Sequence, residues 1–154
     1  PIKTSIIVIP YNLEQLQATV KSIWEHTDVL TEVLIVHSAQ NEEMNAYINR
    51  LVNCGPYKQV FLPVLHPIEQ AINFALPLCE GEIVVSLTKP TPWTWIDGMT
   101  VRLLNDDSTV LSGSQDLSST VFIKDAITYL GGFSKELWSS IRRQGLRIHE
   151  EART

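Results

Sequence analysis

Apolar residues along the chain follow two spacings. Short continuous runs of β-branched and aliphatic residues predict buried strands, and repeats at i, i+3 and i+4 predict amphipathic helices. The two patterns alternate in the first half of the chain. Strands are predicted at Ser5–Ile9, Glu32–Val36, Val60–Leu65 and Glu82–Leu87, and helices at Leu13–Thr27, from Met44 to near Cys54, and from Pro67 to Ala75, with Gly81 as the cap of the last one.

The second half has shorter elements. A helix is predicted at Trp93–Leu104 and a turn at 105–108, where Asp106 and Asp107 are interpreted as turn residues. Further strands are predicted at 110–111 and 120–123, and helices at 125–130 and 134–144, with Gly145 ending the last helix. Trp93 and Trp95 are two residues apart in the predicted helix and therefore point in different directions, so we expect one in the core and the other as a sugar platform or partner contact.

Strands and helices alternate with short connections, and this order is typical of βαβ units. The sequence therefore predicts an α/β fold with a mostly parallel sheet and helices on both faces, in three layers. No linker, repeat or low-complexity segment divides the chain, so residues 1–154 are predicted to form a single domain.

Composition and charge argue against some classes of binding partner. The net charge is −5 and no basic cluster is present, which argues against nucleic acid, and Arg142, Arg143 and Arg147 are interpreted as a solvated helix face. No apolar run approaches the roughly 20 residues of a membrane span. Because strand-like sequence begins at once, we expect no signal peptide. Cys54 and Cys79 lack metal-ligand spacing and are predicted to be semi-buried thiols, which favours a reducing, cytoplasmic location.

Four segments, in their order, resemble the family-2 glycosyltransferases. They are "SIIVIPYN" (5–12), "EVLIV" (32–36), "AINFALPLCEGEIVVSL" (71–87) and "VFIKDAITYLGGFSKEL" (121–137). The more specific parts are Ala71-x-Asn73 before Gly81-Glu82, and Gly131-Gly132-Phe133. The resemblance covers nearly the whole chain and implies a GT-A fold and a nucleoside-diphosphate sugar as the partner.

The acidic motifs of that family are altered here. Its Asp-Asp-Gly-Ser, which contacts the base or ribose, corresponds to His37-Ser38-Ala39-Gln40, and its metal-binding Asp-x-Asp corresponds to Thr88-Lys89-Pro90. Threonine and proline do not provide the oxygen ligands that Mg²⁺ or Mn²⁺ requires. The resemblance therefore implies no metal site and no cofactor in this chain.

The remaining site residues follow from matched positions. Pro10, Tyr11 and Asn12 stand beside the nucleotide in the family, although this tripeptide suits any strand-to-helix turn, and Asn73 is assigned to nucleotide-sugar binding with them. His37 is expected either to stack on a base or to be an ordinary loop residue.

Three further roles stay open. Lys89 and Thr88 are assigned to the nucleotide sugar, with Lys89 either replacing the charge of the metal at the diphosphate or lying solvated in a loop. Glu136 is the carboxylate nearest the expected catalytic base, but it is also interpreted as an acid at a helix N-terminus after Ser134.

Two functions of different class are compatible with these residues. The favoured hypothesis is a glycosyltransferase-like domain that has lost metal-dependent catalysis and serves as a nucleotide-sugar-binding or interaction module. The alternative is an active, metal-independent glycosyltransferase that uses Lys89 and helix N-termini for the diphosphate. The sequence leaves the donor, the acceptor and the oligomeric state open, a self-associated form included.

Overall fold

The computed structural model describes residues 2–24, 30–38 and 41–150. Seven strands form one sheet in the order β3-β2-β1-β4-β6-β5-β7, at Thr4–Val8 (β1), Thr31–His37 (β2), Tyr57–Phe61 (β3), Ile83–Leu87 (β4), Thr109–Gly113 (β5), Ser119–Ile123 (β6) and Arg147–Glu150 (β7). The helices are Leu13–Trp24 (α1), Glu42–Val52 (α2), Ile68–Ala75 (α3), Trp93–Asn105 (α4), Lys124–Tyr129 (α5) and Leu137–Arg143 (α6), and a 3₁₀ turn at Leu76–Leu78 follows α3.

The sheet is mixed. Strands β3, β2, β1 and β4 are mutually parallel, β6 is antiparallel to both β4 and β5, and β7 pairs with β5 in parallel. The central strands are buried on both faces. In β1, for example, alternate residues enter two separate apolar clusters, one on each face of the sheet. Helices α3, α5 and α6 cover one face, and α1, α2 and α4 cover the other. The predicted three-layer α/β architecture is confirmed.

The boundaries of the third strand differ from the sequence prediction. The third strand is Tyr57–Phe61 rather than 60–65, because its register is set by Val33 opposite Tyr57, and the chain leaves the sheet after Leu62. Val64 and Leu65 are apolar but 56% and 75% exposed, so the apolar run was a misleading signal. Helix α1 ends at Trp24 among the described residues, and the predicted end at Thr27 lies outside them, as does His26.

The sequence predicted Gly81 as the cap of the third helix, but in the structure Gly81 does not cap a helix. A Cβ atom at this position would lie 2.7 Å from the backbone nitrogen of Ser5 and 2.8 Å from the carbonyl carbon of Thr4. Glycine is therefore required because two backbone segments approach closely, and α3 instead ends at Ala75 and continues into the 3₁₀ turn.

The C-terminal region also differs from prediction. Helix α6 begins at Leu137 instead of Ser134, because the Ser134 hydroxyl accepts the amide of Glu136 and residues 134–136 form a turn. After Gly145 the chain adds a strand that the sequence analysis did not predict, so Arg147 lies on β7 and not on a helix face. Arg147 approaches Asp106 at 3.6 Å, and Asp106 accepts the amide of Ser108 as expected of a turn residue.

A buried carboxylate joins the first four strands where they begin. Glu32 is almost fully buried, and its Oε2 accepts the Ser5 hydroxyl and the Glu80 amide, each at 2.6 Å. Its Oε1 contacts Lys58 Nζ at 2.9 Å, and the Ser5 hydroxyl in turn accepts the Gly81 amide at 2.9 Å. Burial alone raises the pKa of Glu32, but the hydrogen bonds from Glu80, Ser5 and Lys58 outweigh it, so the pKa lies below its ordinary value. We call these five residues the N-terminal latch.

Candidate functional site

The carboxyl ends of β1, β2 and β4 meet at one edge of the sheet. In open α/β folds this edge is where ligands bind. β1 lies between β2 and β4 in the sheet, and the ladder between β1 and β4 continues to Ile9, whose amide donates to Leu87 at 2.9 Å. The segments that follow these strands carry most of the predicted site residues.

The turn from β1 into α1 is fixed by a reciprocal pair of hydrogen bonds. Asn12 Oδ1 accepts the backbone amide of Gln15 at 2.7 Å, and Gln15 Oε1 accepts the amide of Tyr11 at 3.2 Å. This is how side chains satisfy the free amides at a helix N-terminus. The Asn12 oxygen is therefore engaged in the turn, whereas the Tyr11 side chain is 61% exposed.

A cavity of about 220 Å³ opens beside this turn. Four of the predicted binding residues line it, namely Pro10, Tyr11, Asn12 and His37. The floor is apolar, with Ile9, Val36, Leu62 and Ala71, and the rim includes Ser38, Asn41, Met44, Val64, Leu65 and His66. Among the described residues none that lines the cavity is a lysine, arginine or carboxylate, so the cavity is suited to an uncharged, partly apolar group.

His37 is held in place from the neighbouring strand. Its Nε2 is 2.9 Å from Gln59 Oε1 on β3, and its ring contacts Phe61 edge-on with centroids 6.0 Å apart. Gln59 Nε2 donates to Asn49 on α2 at 3.2 Å, so the ring orientation is fixed by two further elements. The other ring nitrogen, Nδ1, is buried and forms no hydrogen bond within the part of the chain that the structure describes. Stacking by this buried ring on a base would require it to move.

Both polar atoms of the Asn73 side chain form hydrogen bonds with the backbone of Phe133. Its Nδ2 donates to the carbonyl of Phe133 at 2.8 Å, and its Oδ1 accepts the Phe133 amide at 2.7 Å. A Cβ atom on Gly132, which has φ +86°, would lie 2.6 Å from that oxygen. Asn73 and the Gly131-Gly132-Phe133 segment are therefore parts of one clamp between α3 and the loop before α6, and Asn73 is not among the residues lining the 220 Å³ cavity.

The segment after β4 is tied to the β5–β6 connection. Thr88 is buried, its amide donates to the Ser118 carbonyl at 2.9 Å, and its hydroxyl lies 3.5 Å from the same carbonyl. Thr91 is also buried, with its hydroxyl 2.6 Å from that of Ser119. Lys89 is exposed and lines a different cavity, of about 570 Å³, together with Pro90, Thr91, Pro92, Thr94, Trp95 and Ser119. Thr88 and Lys89 are thus separated from the cavity beside Tyr11, although both cavities lie along one edge of the sheet.

The prediction that one tryptophan of α4 lies in the core and the other forms a sugar platform or partner contact is not matched by the structure. Trp93 and Trp95 are both half-buried and both pack against the cluster under α1, α2 and α4. Trp95 combines this packing with a position on the wall of the 570 Å³ cavity.

Glu136 does not line any of the cavities of about 220, 280 and 570 Å³. It is exposed, immediately precedes α6, and its carbonyl accepts the Ser140 amide at 2.8 Å. The neighbouring cavity of about 280 Å³ is lined instead by Glu69, Gln115, Leu117, Phe133, Ser134, Lys135 and Trp138. Glu69, in the first turn of α3, was not singled out in the sequence analysis because it lies just before the matched Ala71-x-Asn73 motif and not in it.

Comparison with known proteins gives results only at the level of structure. No protein-family model and no curated protein sequence matches the chain. A mannosyltransferase from Pyrobaculum calidifontis, solved with GDP-mannose and Mn²⁺, superposes with a TM-score of 0.78 at 18% identity over 97% of this chain and 54% of that one. S. aureus TarS (1–349) gives 0.67 at 15% identity over 88% and 51%. A 4-diphosphocytidyl-2C-methyl-D-erythritol synthase from Anaerococcus prevotii gives 0.70 at 12% identity over 97% and 86%.

These similarities establish a GT-A-like fold. This chain spans about half the length of the mannosyltransferase and of TarS. No helix among the described residues is both long and apolar enough to cross a bilayer.

The donor set after β4 does not fit a divalent metal ion such as the Mn²⁺ of the mannosyltransferase. Proline at position 90 has no side-chain ligand, and the Thr88 hydroxyl is directed to the Ser118 carbonyl. Within residues 2–24, 30–38 and 41–150, no three His, Cys, Asp or Glu side chains are grouped closely enough to hold a metal. A hard cation needs several oxygen ligands, preferably carboxylates, and this edge does not offer them.

Proposed function

We propose that the chain is a glycosyltransferase-like module that binds the nucleoside part of a nucleoside-diphosphate sugar without a divalent metal ion and does not carry out sugar transfer. One observation carries this proposal: the turn at Pro10, Tyr11 and Asn12 and the strand end at His37 line one uncharged cavity at the ligand-binding edge of the fold. Its volume of about 220 Å³ is below the roughly 300–1,000 Å³ of drug-sized sites, which suits a base with its ribose rather than a whole nucleotide sugar.

The charges around the cavity support a nucleoside over a phosphate in that position. Glu14 lies in the first turn of α1, and Glu42 and Glu43 lie in the first turn of α2. Carboxylates at a helix N-terminus compete with an anion for the free amides and the positive end of the helix dipole. We therefore expect the phosphates of a bound nucleotide to extend out of the cavity and away from these two helix N-termini.

The proposal that catalysis is lost depends on two placements. The residues after β4 do not provide metal ligands, and Glu136 is an exposed residue before α6 that lines neither the 220 Å³ cavity nor the 570 Å³ cavity. A general base must come within about 3 Å of the proton that it removes. The term pseudoenzyme describes this combination of a binding cavity and missing catalytic groups.

One observation favours the second candidate, an active metal-independent transferase. Lys89 lines a cavity next to the nucleoside cavity, and among described residues its ammonium group forms no ion pair. If this alternative holds, purified protein releases sugar from UDP-glucose or GDP-mannose in EDTA in the presence of mixed acceptors, and Lys89→Ala removes the activity. We expect no release from the unmodified protein.

The binding proposal is tested by NMR titration of ¹⁵N-labelled protein with uridine, cytidine, adenosine and guanosine, each without metal. We expect saturable shifts at Tyr11, Asn12 and His37 with at least one nucleoside, and no shifts at Tyr129 on α5. If none of the four perturbs this cavity at millimolar concentration, the proposal is wrong.

We also propose a cytoplasmic location. Cys54 is exposed and Cys79 is buried, both are free thiols, and burial raises the pKa of Cys79 to about 11. An unpaired, exposed thiol such as Cys54 persists in a reducing compartment. Alkylation of intact cells followed by mass spectrometry should find Cys54 reduced; a mixed disulfide at this residue would contradict the assignment.

A further inference from the structure

The 570 Å³ cavity after β4 differs chemically from a cation site. Its lining residues are contributed by the loop at 89–92, the first turn of α4 and the start of β6. Lys89 is the one charged side chain among the described residues that line it, and the first turn of α4 contains no acid. The cavity therefore presents one positive charge and no negative charge from its described lining residues, and this attracts an anion.

The cavity is preorganised. Pro90 and Pro92 restrict the loop backbone, and the Thr91 hydroxyl fastens it through contacts of 3.3 Å to the Lys89 carbonyl and 2.6 Å to Ser119. Trp95 is half-buried against the core, and its amide donates to the Pro92 carbonyl at 3.0 Å. Binding to such a rigid wall requires little ordering of the protein.

The lining combines three kinds of contact. Trp95 and the two prolines provide an apolar wall, which suits the C–H face of a pyranose ring because indole buries a large apolar area at small entropic cost. The hydroxyl of Thr94 has no hydrogen-bond partner among the described residues, so it is available to a ligand hydroxyl. Lys89 adds one ammonium group that can form a charge-assisted hydrogen bond with a carboxylate.

Charge counting distinguishes a sugar carboxylate from a diphosphate. One lysine balances one carboxylate, whereas a single phosphate group already carries about −1.5 to −2 charges near neutral pH. The cavity provides no second cation from the described residues. We propose that this cavity binds a saccharide that carries one carboxylate, such as a uronic acid, and that it does so independently of the nucleoside cavity.

The test is an NMR titration of ¹⁵N-labelled protein with sodium glucuronate, glucose, sodium acetate and sodium pyrophosphate, monitored at the Trp95 indole and the Thr94 amide. We expect glucuronate to bind at least tenfold more tightly than glucose or acetate, because only glucuronate has both the ring and the charge. Acetate as tight as glucuronate would mean a plain anion site, and glucose as tight would mean that Lys89 takes no part. Pyrophosphate binding more tightly than glucuronate would overturn the sugar-acid assignment in favour of a diphosphate.

Two lysine variants complete the experiment. Lys89→Gln should lower glucuronate affinity about tenfold, to the level of glucose, while Lys135→Gln, which changes an exposed lysine of the 280 Å³ cavity, should leave it unchanged. Unchanged glucuronate affinity in Lys89→Gln, or the absence of saturable shifts in the unmodified protein, would refute the proposal. Neither result bears on nucleoside binding, which is measured at Tyr11 and His37.

Discussion

The two edges of the parallel strands β3, β2, β1 and β4 both carry polar side chains, but these side chains are bonded differently. At the N-terminal edge, the oxygens of Glu32 receive three hydrogen bonds from the latch residues. At the C-terminal edge, His37 Nδ1 has no partner among described residues, and Tyr11 and Lys89 are exposed. Buried polar groups that are fully bonded stabilise a fold, whereas exposed polar side chains beside a cavity, such as Tyr11 and Lys89, are available to a ligand.

The difference also concerns charge. The latch contains a buried carboxylate, whereas the segment 88–92 after β4 has no carboxylate and carries Lys89. We interpret the N-terminal edge as the structural end of the sheet and the C-terminal edge as the binding end. The comparison can be tested by changing one edge at a time.

The largest effect is expected from a change in the middle of β4, which supports both edges. Val84 is fully buried, and an unpaired carboxylate there costs several kcal/mol against a total stability of roughly 5–15 kcal/mol. Val84→Asp should therefore not fold, while Val101→Asp on the exposed side of α4 should fold normally. Circular dichroism of the purified variants measures this, and a cooperative thermal transition in Val84→Asp would contradict the assignment of β4 as a central strand.

The second-largest loss of stability is expected from a change in the N-terminal latch. Glu32→Ala leaves the Ser5 hydroxyl and the Glu80 amide without their acceptor, and each unsatisfied buried group costs about 1–3 kcal/mol. We expect a loss of about 3 kcal/mol in urea unfolding, and almost none for the matched Glu82→Ala, which changes an exposed carboxylate at the same edge. Equal stability of the two variants would mean that the latch is not a stabilising feature.

Acid should weaken the same latch. The pKa of Glu32 lies below its ordinary value of 4.5 because hydrogen bonds to the charged form outweigh burial, so its stabilising contribution is present above the unfolded pKa and disappears as pH falls through the folded pKa. The stability difference between the unmodified protein and Glu32→Gln should therefore narrow as the pH is lowered from 7 to below 4. A difference that stays constant or grows in urea titrations at these pH values would show that the charge is not the stabilising form.

The strands and the N-terminal latch also show how much of the fold could be predicted from the sequence. Strands β1, β2 and β4 were predicted nearly to the residue because both-sided burial leaves continuous β-branched runs. The α/β architecture followed from the alternation of strands and helices, whereas the GT-A-like fold was implied by the resemblance to family-2 glycosyltransferases. The latch was not predicted, since Ser5, Glu32 and Gly81 are far apart in the sequence and only the register of three strands brings them together. Strand β7 was missed because an edge strand of four residues with exposed arginine and glutamate has no apolar pattern.

The site was predictable only in part. Pro10, Tyr11, Asn12 and His37 line one cavity, because they follow adjacent parallel strands whose ends meet at one edge, and their role in nucleotide-sugar binding stays a prediction. Asn73 and Lys89 were placed with them, but the Asn73 amide is bonded to Phe133 and Lys89 lies in a separate cavity. Loop conformation and side-chain partners decide these positions, and neither leaves a periodic signal.

The smallest structural effect is expected at the C-terminal edge. Tyr11 is 61% exposed, and surface substitutions usually change stability by no more than about 0.5 kcal/mol. Tyr11→Ala should thus melt like the unmodified protein but bind nucleosides at least fivefold more weakly, which is about 1 kcal/mol. Tyr129→Ala, which removes an 83% exposed tyrosine on α5, is the control. Loss of stability without loss of binding in Tyr11→Ala would reverse the roles assigned to the two edges.

The most direct test of the central claim, nucleotide binding without a metal ion, is calorimetric titration of the unmodified protein with UDP in the presence of Mn²⁺ and again in EDTA. Because Thr88 and Pro90 supply no carboxylate after β4, we predict measurable binding with dissociation constants that agree within about twofold. A tenfold gain in affinity with Mn²⁺, about 1.4 kcal/mol, would mean that the chain assembles a metal site at this edge and would contradict the account.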